Sequence, residues 1–197
     1  MRSLPHPQSI IISSLLLLGL VIPAQSTPVP IGGLWSEFSF IPTQPFASGC
    51  APVDPGGLSC FPSVSGNSTF VGAPPWTFVA PVTGATFTVT DAFTRGDSFD
   101  IFDFGTLLGG TPAVAAVGTC GSDPVVCLAD PLSSHATFLL GAGDHSITIE
   151  PIAEPFGPGS AYFRVDAAAI PEPPSVRMLL LGLCTIGVCL IARTQHK

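Results

Sequence analysis

The chain has 197 residues, of which only 10% are charged, and its formal net charge is −7 at pH 7. Between two apolar ends, residues 27–170 contain twelve acidic and only two basic side chains, a length that fits one domain of ordinary size. So acidic a surface attracts cations but offers no electrostatic footprint for a phosphate backbone, which excludes nucleic-acid binding.

Residues 1–26 have the three parts of a secretory signal peptide. Arg2 supplies a positive charge, residues 10–22 form an apolar stretch, and Ala24-Gln25-Ser26 places small residues where signal peptidase reads them. We therefore expect export, with cleavage before Thr27. An uncleaved membrane anchor is the alternative.

Residues 27–75 are rich in proline and glycine, which argues against long helices. Leu34, Phe38 and Phe40 stand at even spacing and predict one short strand between residues 34 and 41. We expect the rest of this part to be irregular and to contain a loop closed by a disulfide.

Residues 76–170 contain a series of short runs typical of strands. Residues 85–93 alternate strictly, with Phe87, Val89 and Phe93 on one face and threonines on the other. Gly141-Ala142-Gly143-Asp144 is typical of a hairpin turn. Many short strands separated by turns predict an all-β ectodomain, an antiparallel β-sandwich or a jelly roll.

Four of the six cysteines lie between the apolar ends, and an exported chain can oxidise them. Pairing neighbours along the chain predicts the disulfides Cys50–Cys60 and Cys120–Cys127. Four cysteines allow three connectivities, so this pairing is a hypothesis.

The best candidates for a chemical site are four aspartates, Asp91, Asp97, Asp100 and Asp103. In the predicted strand Asp91 falls on the same face as the apolar residues and would therefore be buried. Its carboxylate would then need Arg95, a backbone amide or a cation as partner. Calcium is the cation that several carboxylates would hold. However, aspartates three apart on a regular strand point to opposite faces. We therefore expect capping or solvated roles for most of them, no cofactor, and no effect of calcium on the melting temperature.

No catalytic motif accompanies the histidines of the chain. His135 and His145 have serines and an aspartate nearby, but neither a Gly-x-Ser-x-Gly nor a His-Glu-x-x-His pattern is present. We expect His145 to be satisfied by the backbone, and we expect no enzymatic activity. The alternatives to a structural component are a module that binds calcium or a carbohydrate such as an extracellular polysaccharide and, last, a secreted hydrolase.

The tail, residues 171–197, combines three features. Pro171-Glu172-Pro173 is followed by an apolar run over residues 178–192, and Arg193 and Lys197 supply a basic end. A helix formed by this run would have no polar face, which favours a transmembrane segment over a buried soluble helix. The positive-inside rule places the basic end inside and the bulk of the chain outside.

This order of features resembles the PEP-CTERM sorting signal of exported bacterial proteins, and the resemblance covers residues 171–197 only. It implies that exosortase, a membrane protease-transferase, processes the chain near Pro171-Glu172-Pro173, while signal peptidase processes the other end. A chain so addressed is expected in the cell envelope, at the outer surface or outside the cell, with transient or permanent single-pass anchoring in the membrane.

Overall fold

The structure is a computed structural model that describes residues 26–169, so the predicted signal peptide and sorting tail lie outside the described residues. Within this range the chain forms one short helix, α1 (Pro124–Ala129), and fourteen strands. The strands are β1 (Thr27–Pro28), β2 (Trp35–Phe40), β3 (Cys50–Ala51), β4 (Leu58–Ser59), β5 (Ser68–Phe70), β6 (Trp76–Ala80), β7 (Ala85–Thr90), β8 (Phe93–Thr94), β9 (Ser98–Asp103), β10 (Thr106–Gly110), β11 (Thr119–Gly121), β12 (His135–Leu140), β13 (Gly143–Ala153) and β14 (Gly159–Ala167).

Two five-stranded sheets pack around one hydrophobic core. The first sheet has the strand order β1-β6-β13-β9-β10, and the second has the order β12-β7-β14-β2-β5. Their pairings are antiparallel except for β1 with β6 and β2 with β5. The prediction of an all-β fold is therefore confirmed, and the two sheets form a β-sandwich.

Alternation along the strands explains how each sheet buries one face. On β7, Phe87 and Val89 enter the core, while Thr88 on the outer face shares a 3.1 Å hydroxyl hydrogen bond with Thr137 of β12. Both sheets contribute large apolar side chains to the same cluster, including Trp76, Phe78, Phe99, Ile101, Ile147 and Ile149 from the first and Phe38, Phe40, Phe87, Val89, Phe163 and Val165 from the second.

Residues 27–75 contribute to both sheets rather than forming a separate unit. β2 lies between β14 and β5, and all six of its residues are buried. Phe38 and Phe40 point into the core as their spacing predicts. Trp35 lies on the opposite face of β2. It belongs to a second, smaller hydrophobic cluster together with Tyr162 and Cys127 of α1.

Two local predictions need correction. The strand expected over residues 85–93 ends at Thr90, and Phe93 adopts φ +57° within β8 rather than continuing the apolar face of β7. The expected hairpin at residues 141–144 connects β12 to β13, but β12 pairs with β7 whereas β13 pairs with β6 and β9. That turn therefore carries the chain from one sheet to the other.

Both predicted disulfides, Cys50–Cys60 and Cys120–Cys127, are present. The second joins β11 to α1, whose N-terminus is capped by the Asp123 carboxylate accepting from the Val125 amide. Among residues 26–169, no helix is long and apolar enough to cross a membrane.

Replacing Cys120 and Cys127 together by serine is expected to lower the free energy of unfolding by about 2–3 kcal/mol, because the short loop they close is no longer constrained in the unfolded chain. Urea denaturation of the variant and the native protein measures this loss. An unchanged midpoint, or free thiols at these positions in a non-reducing peptide map, would contradict the pairing.

Candidate functional site

Asp91 organises the loop that follows β7. Its side chain is fully buried, and its carboxylate accepts hydrogen bonds from the backbone amides of Ala92 at 2.7 Å, Gly96 at 3.0 Å and Asp97 at 3.2 Å. Of the two partners that the protein itself can supply, Arg95 and backbone amides, the structure shows the amides. Arg95 instead binds Asp130, with Nε 2.8 Å from the carboxylate.

Asp97 lies beside Asp91 and is also buried, with only 7% of its surface exposed. Its Oδ1 has no hydrogen-bond partner. Burial, followed by the negative charges of Asp91 and Glu154, raises the pKa of Asp97 to about 8. Burial likewise raises the pKa of Asp91 to about 6, although the backbone amides and a hydrogen bond to Asp97 oppose the rise.

Glu154 is a third member of this group, and the sequence did not single it out. The register of β13 against β9 shifts between Pro151 and Ala153, so that Ala153 pairs with Ser98. The next residue is Glu154, which lies close enough to Asp97 for its charge to raise the pKa of Asp97. Its Oε2 is buried without a hydrogen-bond partner, and burial raises its pKa.

The other two predicted aspartates lie elsewhere. Asp100 pairs across the sheet with Glu150 on one side and Gly110 on the other. Asp103 stands at the end of β9, where its carboxylate accepts from the Ser146 amide at 2.9 Å and contacts His145. The structure therefore brings Asp91 and Asp97 together and separates both from Asp103.

His145 is a buried histidine with both ring nitrogens engaged. Nδ1 lies 2.7 Å from the Asp103 carboxylate, Nε2 lies 3.1 Å from the Gly141 carbonyl, and the ring stacks on Phe78 at 5.1 Å. The backbone satisfies one nitrogen, as predicted, and a carboxylate takes the other. Because Nε2 faces a carbonyl oxygen, it is not placed to remove a proton from a serine hydroxyl.

A cleft of about 280 Å³ opens next to the buried carboxylates. Three segments form its walls: residues 58–61, residues 92–94 and residues 156–160, with Asp97 between them. Phe61 and Phe156 line it and are 72% and 57% exposed. The cleft thus combines exposed aromatic rings with hydroxyl and carboxyl groups.

Glu37 lies behind this cleft, on the outer face of β2. Its Oε1 accepts from the Ser160 hydroxyl at 2.9 Å, its Oε2 has no partner, and burial raises its pKa to about 7. Among the described residues, Glu37, Cys50 and Cys60 are the only potential metal ligands that lie as a trio within 4.8 Å of one another. Because both sulfurs belong to a disulfide, this trio is not a metal centre.

The sequence missed Glu37 because its neighbours Phe38 and Phe40 predict that it faces solvent. In the structure the segment that carries the Cys50–Cys60 disulfide covers it, and the Cys50 sulfur lies 3.3 Å from the Glu37 carbonyl oxygen. Burial of Glu37 by a segment distant in sequence leaves no signal in the residues around it.

Comparison with protein-family models found none that matches this chain, and comparisons with curated proteins and with solved structures also found no match. The function is therefore inferred from the chain's own signals, fold and site.

Proposed function

We propose that this protein is an exported structural or binding component of the cell envelope or extracellular matrix, directed there by its signal peptide and sorted by its C-terminal tail. The observation that carries the proposal is the pair of disulfides in the acidic domain. Disulfides form and persist in oxidising compartments outside the cytoplasm.

The positions of the domain's first and last strands along the chain fit removal of both ends. β1 begins at Thr27, directly after the predicted signal-peptidase site. β14 ends at Ala167, shortly before Pro171-Glu172-Pro173. Cleavage at these two places would leave every strand of the sandwich intact.

The tail's resemblance to PEP-CTERM signals implies a role for each of its three parts. Residues 178–192 would hold the chain in the membrane, Arg193 and Lys197 would remain inside, and exosortase would cut near Pro171-Glu172-Pro173. The mature domain would then be released or transferred to the surface. Without that cut it would remain on a single-pass anchor.

Fractionation of a bacterial host that carries an exosortase tests the proposal. We expect the native chain in the envelope or the medium, shorter than its precursor. Replacing Pro171, Glu172 and Pro173 together by alanine should leave a longer chain in the membrane, whereas Pro174→Ala, just outside the motif, should be processed normally. A full-length native chain soluble in the cytoplasm would contradict export.

A second candidate function is carbohydrate binding by the cleft, favoured by the exposed rings of Phe61 and Phe156 beside hydrogen-bonding groups. Such rings offer apolar faces to sugar rings. A glycan array with the native protein tests this function. Any binding should be lost in Phe61→Ala and kept in Phe104→Ala, which removes a similarly exposed ring that does not line the cleft.

A further inference from the structure

We propose that Asp91, Asp97 and Glu154 form a calcium site at the end of the sandwich, beside the cleft. This carboxylate trio joins the loop after β7 to the end of β13. Two of its members, Asp91 and Asp97, are among the four aspartates predicted from the sequence. The third is Glu154, and the predicted Asp100 and Asp103 are not part of the site.

The first step is that the fold holds these carboxylates together. Ala153 pairs with Ser98, so Glu154 and Asp97 are the next residues beyond the last pair of β13 and β9, and Glu154 lies close enough for its charge to act on Asp97. The loop packs closely against the chain after Glu154, since a Cβ on Gly96 would lie 2.8 Å from Pro155 Cγ. Carboxylates held this close together repel one another unless something neutralises them.

The second step is that the described part of the chain supplies no positive partner. Asp97 Oδ1 and Glu154 Oε2 are buried without hydrogen bonds, and Asp97 lines the cleft with 93% of its surface buried. Within residues 26–169 the two arginines are engaged elsewhere: Arg95 binds Asp130, and Arg164 binds Asp166 at 2.7 Å. A buried carboxylate with an unpartnered oxygen is costly, so a cation from solution would be favoured there.

The third step is the choice of cation. The donors are all carboxylate oxygens, which are ligands for hard cations. The ligand oxygens of the trio do not all lie within 4.8 Å of one another, so ion binding would draw them closer together. Calcium accepts irregular coordination by carboxylates, carbonyls and water, whereas magnesium demands near-octahedral geometry at short distances. Calcium therefore fits better, with the dissociation constant of about 0.1–1 mM typical of extracellular modules.

The test uses the exported protein with its disulfides intact, melted at pH 8 in EDTA and in CaCl₂ at about a hundred times the dissociation constant measured by calorimetry. Contrary to the prediction made from the sequence, we expect calcium to raise the melting temperature by about 5–10 °C. Asp97→Asn and Glu154→Gln should each abolish the shift. The matched controls are Asp144→Asn, at an exposed aspartate, and Glu150→Gln, at the glutamate facing Asp100, and both should retain it.

Identical melting curves in EDTA and calcium overturn the site. A calcium shift that survives either Asp97→Asn or Glu154→Gln also overturns it, because the ion would then bind elsewhere on the acidic surface. Should Asp97→Asn fail to fold, Glu154→Gln decides the question, since Glu154 is only partly buried and pairs with no other side chain in the described range. These outcomes do not depend on where the protein is exported.

Discussion

Asp97→Asn is expected to stabilise the calcium-free protein at pH 8 by about 2–4 kcal/mol and to change its stability little at pH 4. Folding raises the pKa of Asp97 from its ordinary value of 3.8 to about 8, chiefly because the side chain is buried. The unfolded chain therefore releases this proton at a lower pH than the folded one. Stability that is present below about pH 4 is lost as the pH rises towards 8.

Asparagine has no charge to bury, so the variant avoids that loss and can still donate a hydrogen bond to Asp91. Urea denaturation in EDTA at pH 4, 6 and 8 measures the effect, with Asp144→Asn as a surface control that should change stability by less than about 0.5 kcal/mol. Destabilisation by Asp97→Asn at pH 8 in EDTA would contradict the expected result. In calcium at a hundred times the dissociation constant this advantage should shrink by about 2.7 kcal/mol, because only the native protein gains the stability that binding supplies.

Glu37 and Asp91 affect the pH dependence of stability in the same direction as Asp97. Burial raises the pKa of Glu37 to about 7 and the pKa of Asp91 to about 6. The calcium-free native protein should therefore become progressively less stable between about pH 4 and pH 8, the window set by these raised values.

Phe38→Ala is expected to cost about 3–5 kcal/mol of stability, because Phe38 lies at the centre of the sandwich. Its ring centroid is 5.8 Å from that of Trp76, 5.5 Å from that of Phe99 and 6.1 Å from that of Phe163. These three neighbours come from both sheets. Shortening the side chain would leave a cavity that fixed strands cannot collapse to fill.

The same urea series measures this loss, and the matched control is Leu139→Ala. Leu139 lies on β12 and is 82% exposed, so its truncation should cost less than about 0.5 kcal/mol. A loss below about 1 kcal/mol for Phe38→Ala would contradict the placement of β2 in the core.

Alternation predicted β7, because a face buried against one core imposes a period of two on the sequence. β10 was not predicted: Gly109 and Gly110 give it no pattern, and it is a strand because it pairs with β9. The helix α1 has a local signal, an aspartate cap followed by proline at Pro124, but Gly121-Ser122-Asp123-Pro124 is equally typical of a turn.

The candidate site was predicted in part for a similar reason. The alternation of β7 predicts that Asp91 points inward. The Asp91 carboxylate accepts a hydrogen bond from the Asp97 amide, and this bond brings Asp97 next to Asp91. Glu154 could not be found in this way, since a register shift in β13 changes which side chains face Asp97. Register shifts, and the burial of a side chain by a segment distant in sequence, depend on tertiary packing, which local periodicity does not encode.

Export and cleavage at both ends are tested most directly by the intact mass of the protein isolated from cells that produce it natively. The predicted mature chain begins at Thr27, ends near Pro171-Glu172-Pro173 and has Cys50, Cys60, Cys120 and Cys127 oxidised. A chain that keeps both Met1 and Lys197, with these cysteines reduced, would contradict the proposal.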